Sequence, residues 1–255
     1  MKKLFFILIV VSLGLKSFSN PQKQCFFPGE ISKYKISWMG IPIAWSETTT
    51  DFITTNGQTR IKLQQISKNY KAYSWAYKVD DEITVLINPE TKLPIQLEVN
   101  ISEGSKKVHY LTHFDHKNKI AITQDKITNT TTQVPIQKDT RDLYTFVYTL
   151  RSKTFDELTQ TKYTLFIRGK LYQLEVKKHG KKLIQLPTYG KVPSIELEPL
   201  AQFDGFFLRK GKIFFWVSEA DRRMITCIKT KVSVGKITVK LQSVSGPGDD
   251  FWAQD

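Results

Sequence analysis

The chain has 255 residues, of which 40% are hydrophobic and 12% aromatic, and its formal net charge is +14 at pH 7. This length suffices for one large β domain or two modest ones. In a cytosolic protein, such a basic and aromatic-rich composition would suggest nucleic acid as the partner. The N-terminus indicates export instead, which argues against a nucleic-acid partner.

The first residues have the pattern of a secretory signal peptide. Two lysines precede the apolar stretch at residues 4–15, and the small residues Ser17 and Ser19 follow it. We predict that residues 1–19 are removed and that the mature protein is periplasmic or otherwise exported. A membrane span needs about 20 apolar residues, so we expect no transmembrane span after cleavage.

Removal of residues 1–19 takes away three lysines and no acid, which leaves a mature net charge of +14 − 3 = +11. Outside the inner membrane, such a surface favours anionic envelope components such as lipid head groups as partners. The alternative is an ordinary lysine-rich, solvated surface.

The sequence contains two cysteines, Cys25 and Cys227. An oxidising compartment permits one disulfide between them. The alternative is a buried, apolar Cys227 on its strand with Cys25 left loose. Lipidation of Cys25 is not favoured, because the preceding residues 21–24 are not small and aliphatic.

Residues 20–137 are predicted to form an N-terminal β region. Tyr34, Ile36 and Trp38 alternate with polar residues and give one apolar face. Asn56-Gly57 is a strong hairpin-turn signal, and more short strands follow. The spacing indicates antiparallel strands in a curved sheet, either a sandwich or an incompletely closed barrel.

One short central helix is predicted within residues 138–153. Asp139 is a candidate N-cap, and a stripe of apolar residues then recurs at helical spacing: Leu143, Phe146, Val147 and Leu150.

Residues 154–245 are predicted to form a C-terminal β region with turns at Gly169-Lys170 and His179-Gly180. Residues 213–217 are apolar on both faces, which is typical of a central strand covered on both sides. Residues 246–255 form a tail that we expect to fray. The fold class is therefore mainly β.

An ordered set of motifs resembles a bacterial family known as domain of unknown function 3108. The set begins with Phe27-Pro28-Gly29-Glu30 and continues through Gly169-Lys170-Leu171-Tyr172, Pro187, Gly190, Trp216, Ser218, Asp221, Arg222-Arg223 and Gly235. The resemblance implies an exported, mainly β envelope protein. It implies no activity and no catalytic residues.

The sequence offers little for catalysis or metal binding. His109, His113 and His116 would share a face on a helix, but their segment has a strand pattern that separates His116 from the others. Ser32 and Lys35 match a serine–lysine pair only in spacing, since an offset of three on a strand places them on opposite faces. We expect no catalytic residue, no metal and no cofactor, and hence not an enzyme.

The candidate binding residues are Glu30, Trp38, Trp216, Arg222 and Arg223. Two adjacent arginines could bind a phosphate or carboxylate. Alternatively, one arginine pairs with an acid such as Glu30 and only stabilises the fold.

Two functions are consistent with these features. The first is a non-enzymatic periplasmic binder or assembly factor for an amphipathic, anionic, lipid-like ligand, with an aromatic-lined groove for the acyl chain. The second is a structural module that pairs with other envelope proteins and has no small-molecule ligand.

Overall fold

The computed structural model describes residues 25–55, 57–73, 78–201, 213–220, 222–232 and 234–247. The predicted signal peptide, Asp221 and the tail beyond residue 247 lie outside the described residues.

The described chain forms fourteen strands and two α-helices. The N-terminal strands are β1 (Glu30–Trp38), β2 (Ile41–Thr55), β3 (Gln58–Asn69), β4 (Asp80–Ile87), β5 (Pro94–Glu103), β6 (Lys106–Asp115), β7 (Ile120–Asp125) and β8 (Thr131–Pro135). The helices α1 (Leu143–Ser152) and α2 (Phe155–Gln160) follow. The C-terminal strands are β9 (Tyr163–Ile167), β10 (Lys170–Leu186), β11 (Gly190–Ala201), β12 (Ile213–Ser218), β13 (Ile225–Lys231) and β14 (Lys236–Ser245).

All fourteen strands belong to one antiparallel sheet, in which β1 pairs with both β2 and β14. Strands β1 and β14 lie side by side in the middle of the sheet. From β1 the strands follow in chain order to β8 at one edge, and from β14 they follow in reverse order to β9 at the other edge. The predicted mainly β, antiparallel fold is confirmed, and its two β regions are halves of a single sheet.

The two ends of the sheet curl towards each other without closing. Phe166 of β9 packs edge-on against Phe114 of β6, with the ring centroids 5.5 Å apart. Arg141 bridges the gap: its N–H donates to the carbonyl of Thr164, and its own carbonyl accepts from Phe166. The result is an incompletely closed barrel whose concave side can enclose other elements.

Helix α1 packs on the concave side of the sheet. Phe146 and Leu150 join a cluster with β9–β13, while Tyr148 joins a cluster with strands of the N-terminal half. The predicted N-cap at Asp139 is wrong by one turn, because the Asp142 carboxylate caps the helix by accepting from the N–H groups of Tyr144 and Thr145.

Two further elements correct the sequence interpretation. Helix α2 falls where only strands were expected, and a capping box between Thr154 and Glu157 starts it. The predicted turn at His179-Gly180 is absent from the structure, since β10 continues through both residues. A bulge between Lys178 and Lys181 takes up the irregularity while pairing with β11 continues on both sides.

The described part of the tail packs against the start of β1. Gly246 has a φ of +93°, and a Cβ added to it would lie 2.2 Å from the carbonyl oxygen of Gly29. Only a residue without a side chain permits this approach. Because Glu30 is the residue after Gly29, the contact between Gly246 and Gly29 helps to fix the position of the Glu30 side chain.

We expect Gly246→Ala to lower the free energy of unfolding by about 2–4 kcal/mol, because it adds a backbone clash to the cost of a positive φ. Gly40→Ala is the matched control: Gly40 has a φ of +92° and nothing within 4 Å of the added Cβ. This variant should lose only about 1–2 kcal/mol. Urea unfolding measures both, and equal losses would contradict the close contact.

Candidate functional site

Three charged side chains from distant parts of the chain meet at one end of α1. The Arg151 guanidinium donates to both carboxylate oxygens of Glu30, over 2.7 and 2.8 Å. The Nε of Arg222, in the turn between β12 and β13, donates to the same carboxylate over 3.1 Å. We call these three residues the buried triad.

The buried triad carries an unbalanced charge. Each of its side chains is at most 3% exposed, and one carboxylate faces two guanidinium groups, which gives a net charge of +1. Buried charges are stable only when they are paired and hydrogen-bonded. An excess positive charge in a dry environment favours an additional anion nearby.

The two arginines determine the protonation of Glu30. Burial alone would raise the pKa of the Glu30 carboxyl, but Arg151 and Arg222 outweigh this effect and hold that pKa below its usual value. Burial would likewise lower the pKa of the Arg151 guanidinium, whereas Glu30 raises it. Glu30 and Arg151 are therefore both ionised at neutral pH.

Arg151 has one donor left over. Its Cζ lies 4.9 Å from the centroid of the Tyr148 ring, and its Nη2 also approaches Met224 Sδ at 3.1 Å. Its buried Nε–H has no hydrogen-bond partner among the described residues. An unpaired buried donor costs about 1–3 kcal/mol, so an acceptor placed beside it would be stabilising.

A cavity of about 290 Å³ lies between α1 and the concave side of the sheet, and Arg151 is part of its wall. Leu143, Val147 and Tyr148 line it from the helix, while the opposite side comes from β1–β3 and β12–β14. This size is at the lower end of the range of ligand pockets.

The cavity has two chemically different walls. Its more polar wall, from β1–β3, includes the apolar Ile36 and Leu63 beside six residues with polar groups: Ser32, Tyr34, Ser46, Thr48, Gln65 and Ser67. Its apolar wall, from α1 and β12–β14, includes Leu143, Val147, Ile213, Phe215, Ile225, Ile228 and Val239. Some polar groups of the β1–β3 wall hydrogen-bond to one another: the Ser67 hydroxyl donates to the Ser46 hydroxyl over 3.0 Å. Such a cavity suits a molecule with both polar and apolar parts.

Of the five binding residues predicted from the sequence, the structure brings together only Glu30 and Arg222. Arg222 pairs with Glu30, as the alternative interpretation stated. Arg223 lies apart from the triad: it donates to the carbonyl of Lys153, and its Cζ is 4.2 Å from the centroid of the Phe155 ring.

The two predicted tryptophans lie elsewhere. Phe215 and Val217 of β12 point towards α1, so Trp216 between them points to the other face, where it packs with residues such as Ile184 and Leu186. Trp38 is at the end of β1 remote from Glu30 and is partly exposed.

Both cysteines are free thiols in this structure. Cys25 and Cys227 belong to different hydrophobic clusters. Burial raises the pKa of each thiol to about 11, so both are protonated at neutral pH.

The three histidines of the β6 region do not form a metal-binding group, and the described residues contain no cluster of three potential metal ligands. His109 contacts Glu98, and His116 contacts the carbonyl of Pro94. Within the described ranges, no helix is both long and apolar enough to cross a membrane.

The sequence analysis did not identify Arg151 as a candidate site residue. The available signal was composition: Arg151 is the only charged residue in α1, and seven of the ten residues of this helix are buried. A lone charge on a helix buried on most sides requires a partner.

We expect Glu30→Gln to lower the free energy of unfolding by about 3–5 kcal/mol, because it leaves two buried guanidinium groups without their counter-charge. Glu47→Gln is the control, since it removes an exposed ion pair with Lys33 that contributes about 1 kcal/mol or less. Denaturant unfolding at neutral pH compares them. Similar losses in both variants would show that the triad is not a buried charge centre.

The same variant tests the titration of Glu30. Its pKa in the folded protein lies below the unfolded value of about 4.3. Its contribution to stability is therefore fully present above that value and is lost as the pH falls through the folded pKa. Below about pH 4.3, unfolding free energies should decline more steeply for the wild type than for Glu30→Gln. Parallel curves would contradict the lowered pKa.

Comparison with known proteins identifies a protein of similar fold and the family of this chain. A search of curated proteins finds no match. The crystal structure of a β-barrel-like protein of domain of unknown function DUF1849 from Brucella abortus is similar, with a TM-score of 0.57 and 10% sequence identity. The similarity covers 88% of this chain and 100% of that one. The family model "Protein of unknown function (DUF3108)" matches residues 33–242, and the chain therefore belongs to this family.

Proposed function

We propose that the protein is an exported, non-enzymatic binder of a small amphipathic anion with an acyl-like tail, and that the cavity beside α1 is its binding site. The observation that carries this proposal is the combination of two unlike cavity walls with Arg151, whose buried Nε–H has no partner among the described residues.

The ligand's anionic group belongs at Arg151. The buried triad has a net charge of +1, and a carboxylate in the cavity beside Arg151 would balance it. Hydrogen bonds between charged groups are roughly twice as strong as neutral ones. The earlier expectation that Arg222 or Arg223 binds the head group is replaced, because Arg151 lines the cavity and neither Arg222 nor Arg223 does.

The tail belongs along the apolar wall, where it would contact Val147, Phe215 and Ile228. A volume of about 290 Å³ corresponds to about ten water-sized groups at ~30 Å³ each. The ligand is therefore a single medium-length chain. A two-chain phospholipid would not fit without opening of the sheet.

We expect the wild-type protein to bind octanoate at one site, and octanol about tenfold more weakly because the alcohol lacks the charge that Arg151 would meet. Val147→Phe should abolish binding by filling the cavity. Val108→Phe is the matched control, since Val108 is also half-buried but does not line the cavity.

Titration calorimetry on lipid-extracted protein measures these affinities, and native mass spectrometry identifies any ligand that co-purifies. A wild type that takes up no octanoate, or a Val147→Phe variant that binds as well as the wild type, would contradict the site. An empty protein would favour the structural module.

Export is part of the proposal, and intact mass tests it. Protein isolated from the periplasm of a bacterial host should have the mass of a chain that begins at Asn20, because Ser17 and Ser19 provide the cleavage signal. A full-length chain retained in the cytosol would contradict both the signal peptide and the location.

A further inference from the structure

Two hairpin turns at one end of the sheet form an exposed apolar surface. The first, residues 38–41, joins β1 to β2, and the second, described at residues 231–232 and 234–236, joins β13 to β14. Met39, Ile41 and Val234 are 58%, 50% and 67% exposed. Trp38 and Val232 are also exposed. We call these two turns the hairpin tips.

The hairpin tips pack against each other and form one unit. The indole N–H of Trp38 donates to the carbonyl of Val234 over 2.8 Å. The N–H of Met39 donates to the carbonyl of Lys236. Gly235 allows this contact, because a Cβ on it would lie 2.6 Å from the side chain of Met39. The apolar side chains are therefore displayed together on a rigid support.

The surroundings of the hairpin tips are basic. Residues 31–46, the part of the β1–β2 hairpin nearest its turn, and residues 222–247 contain no aspartate or glutamate, whereas Glu47 and Asp51 lie further along β2. Lys231 and Lys236 flank the second tip and are exposed. Large exposed apolar side chains beside lysines are the composition of a surface that inserts into the head-group region of a membrane, where tryptophan is also favoured.

We infer that the hairpin tips are a docking surface for an anionic phospholipid bilayer. Insertion would remove the apolar side chains from water, and each lysine near an anionic surface adds electrostatic attraction. The charge complementarity favours lipid over a protein partner, whose interface core would normally be depleted of lysine. This surface does not depend on whether the cavity binds a ligand.

The test is sedimentation of the protein with vesicles. Wild-type protein should sediment with vesicles of equal parts phosphatidylglycerol and phosphatidylethanolamine, and this binding should weaken at high salt because the lysine contribution is screened. It should bind vesicles of pure phosphatidylcholine at least about tenfold more weakly.

Ile41→Ser combined with Val234→Ser should lower partitioning onto the anionic vesicles by about tenfold or more, since burial of one aliphatic side chain contributes on the order of one decade in affinity. The control is Phe52→Ser combined with Leu183→Ser. These side chains are 45% and 61% exposed but lie away from the hairpin tips, so the control should bind like the wild type.

Because all four positions are exposed, both double variants should unfold at nearly the wild-type temperature, which is measured in parallel. Lys231→Gln combined with Lys236→Gln should remove much of the salt dependence. Wild-type protein that stays in solution with both vesicle types overturns the proposal. So does equal binding by the tip variant and the wild type, or capture of a protein by the tips without any vesicle binding.

Discussion

The carboxylate of Glu30, buried between Arg151 and Arg222, is the interaction on which the rest of the structure depends. It joins the first strand to a helix 121 residues later and to a turn 192 residues later. Local backbone geometry positions the side chains of Glu30 and Arg222. Gly29 and Gly246 approach each other where β1 begins, and Arg223 adopts a positive φ in the turn that carries Arg222. One acid thus holds both halves of the sheet against the helix between them.

The triad also explains why a cavity persists inside the protein. Helix α1 is fixed at its N-terminus by the Asp142 cap and at its C-terminus by Arg151. Because both ends are held by polar groups with strict geometry, the helix keeps a fixed position over β1–β3, which Tyr148 reaches through a hydrogen bond of 3.1 Å between its hydroxyl and that of Thr50. The space between them stays open, with the hydroxyl groups of those strands on one side. A hydrophobic contact in place of the triad would be less directional and would let the helix close the gap.

The strand pattern was predictable from the sequence because alternation and turn residues are local signals. Alternation at Tyr34, Ile36 and Trp38 and the turn at Asn56-Gly57 correspond to β1 and to the β2–β3 hairpin. The His179-Gly180 turn was wrong because a bulge and a turn use the same residue types, and only pairing with β11 distinguishes them. One ion pair of the triad was predictable from the sequence. The interpretation that one of the two adjacent arginines pairs with an acid such as Glu30 corresponds to the contact between Arg222 and Glu30. The partner of Arg151 could not be assigned, because long-range packing determines it and helical periodicity reports only local structure.

Strand β1 connects the two proposed sites. It begins with Glu30 in the triad, lines the cavity with Ser32, Tyr34 and Ile36, and ends at Trp38 in the hairpin tips. At about 3.3 Å per residue, its nine residues place the triad ~26 Å from the tips. A ligand whose carboxylate meets Arg151 would then lie with its tail towards the hairpin tips, the end of the sheet that we propose docks on a bilayer. The charged group of such a ligand would lie at the Glu30 end of β1, so binding would depend on a buried cation there. A net charge of +1 in the triad, rather than a neutral pair, meets that requirement.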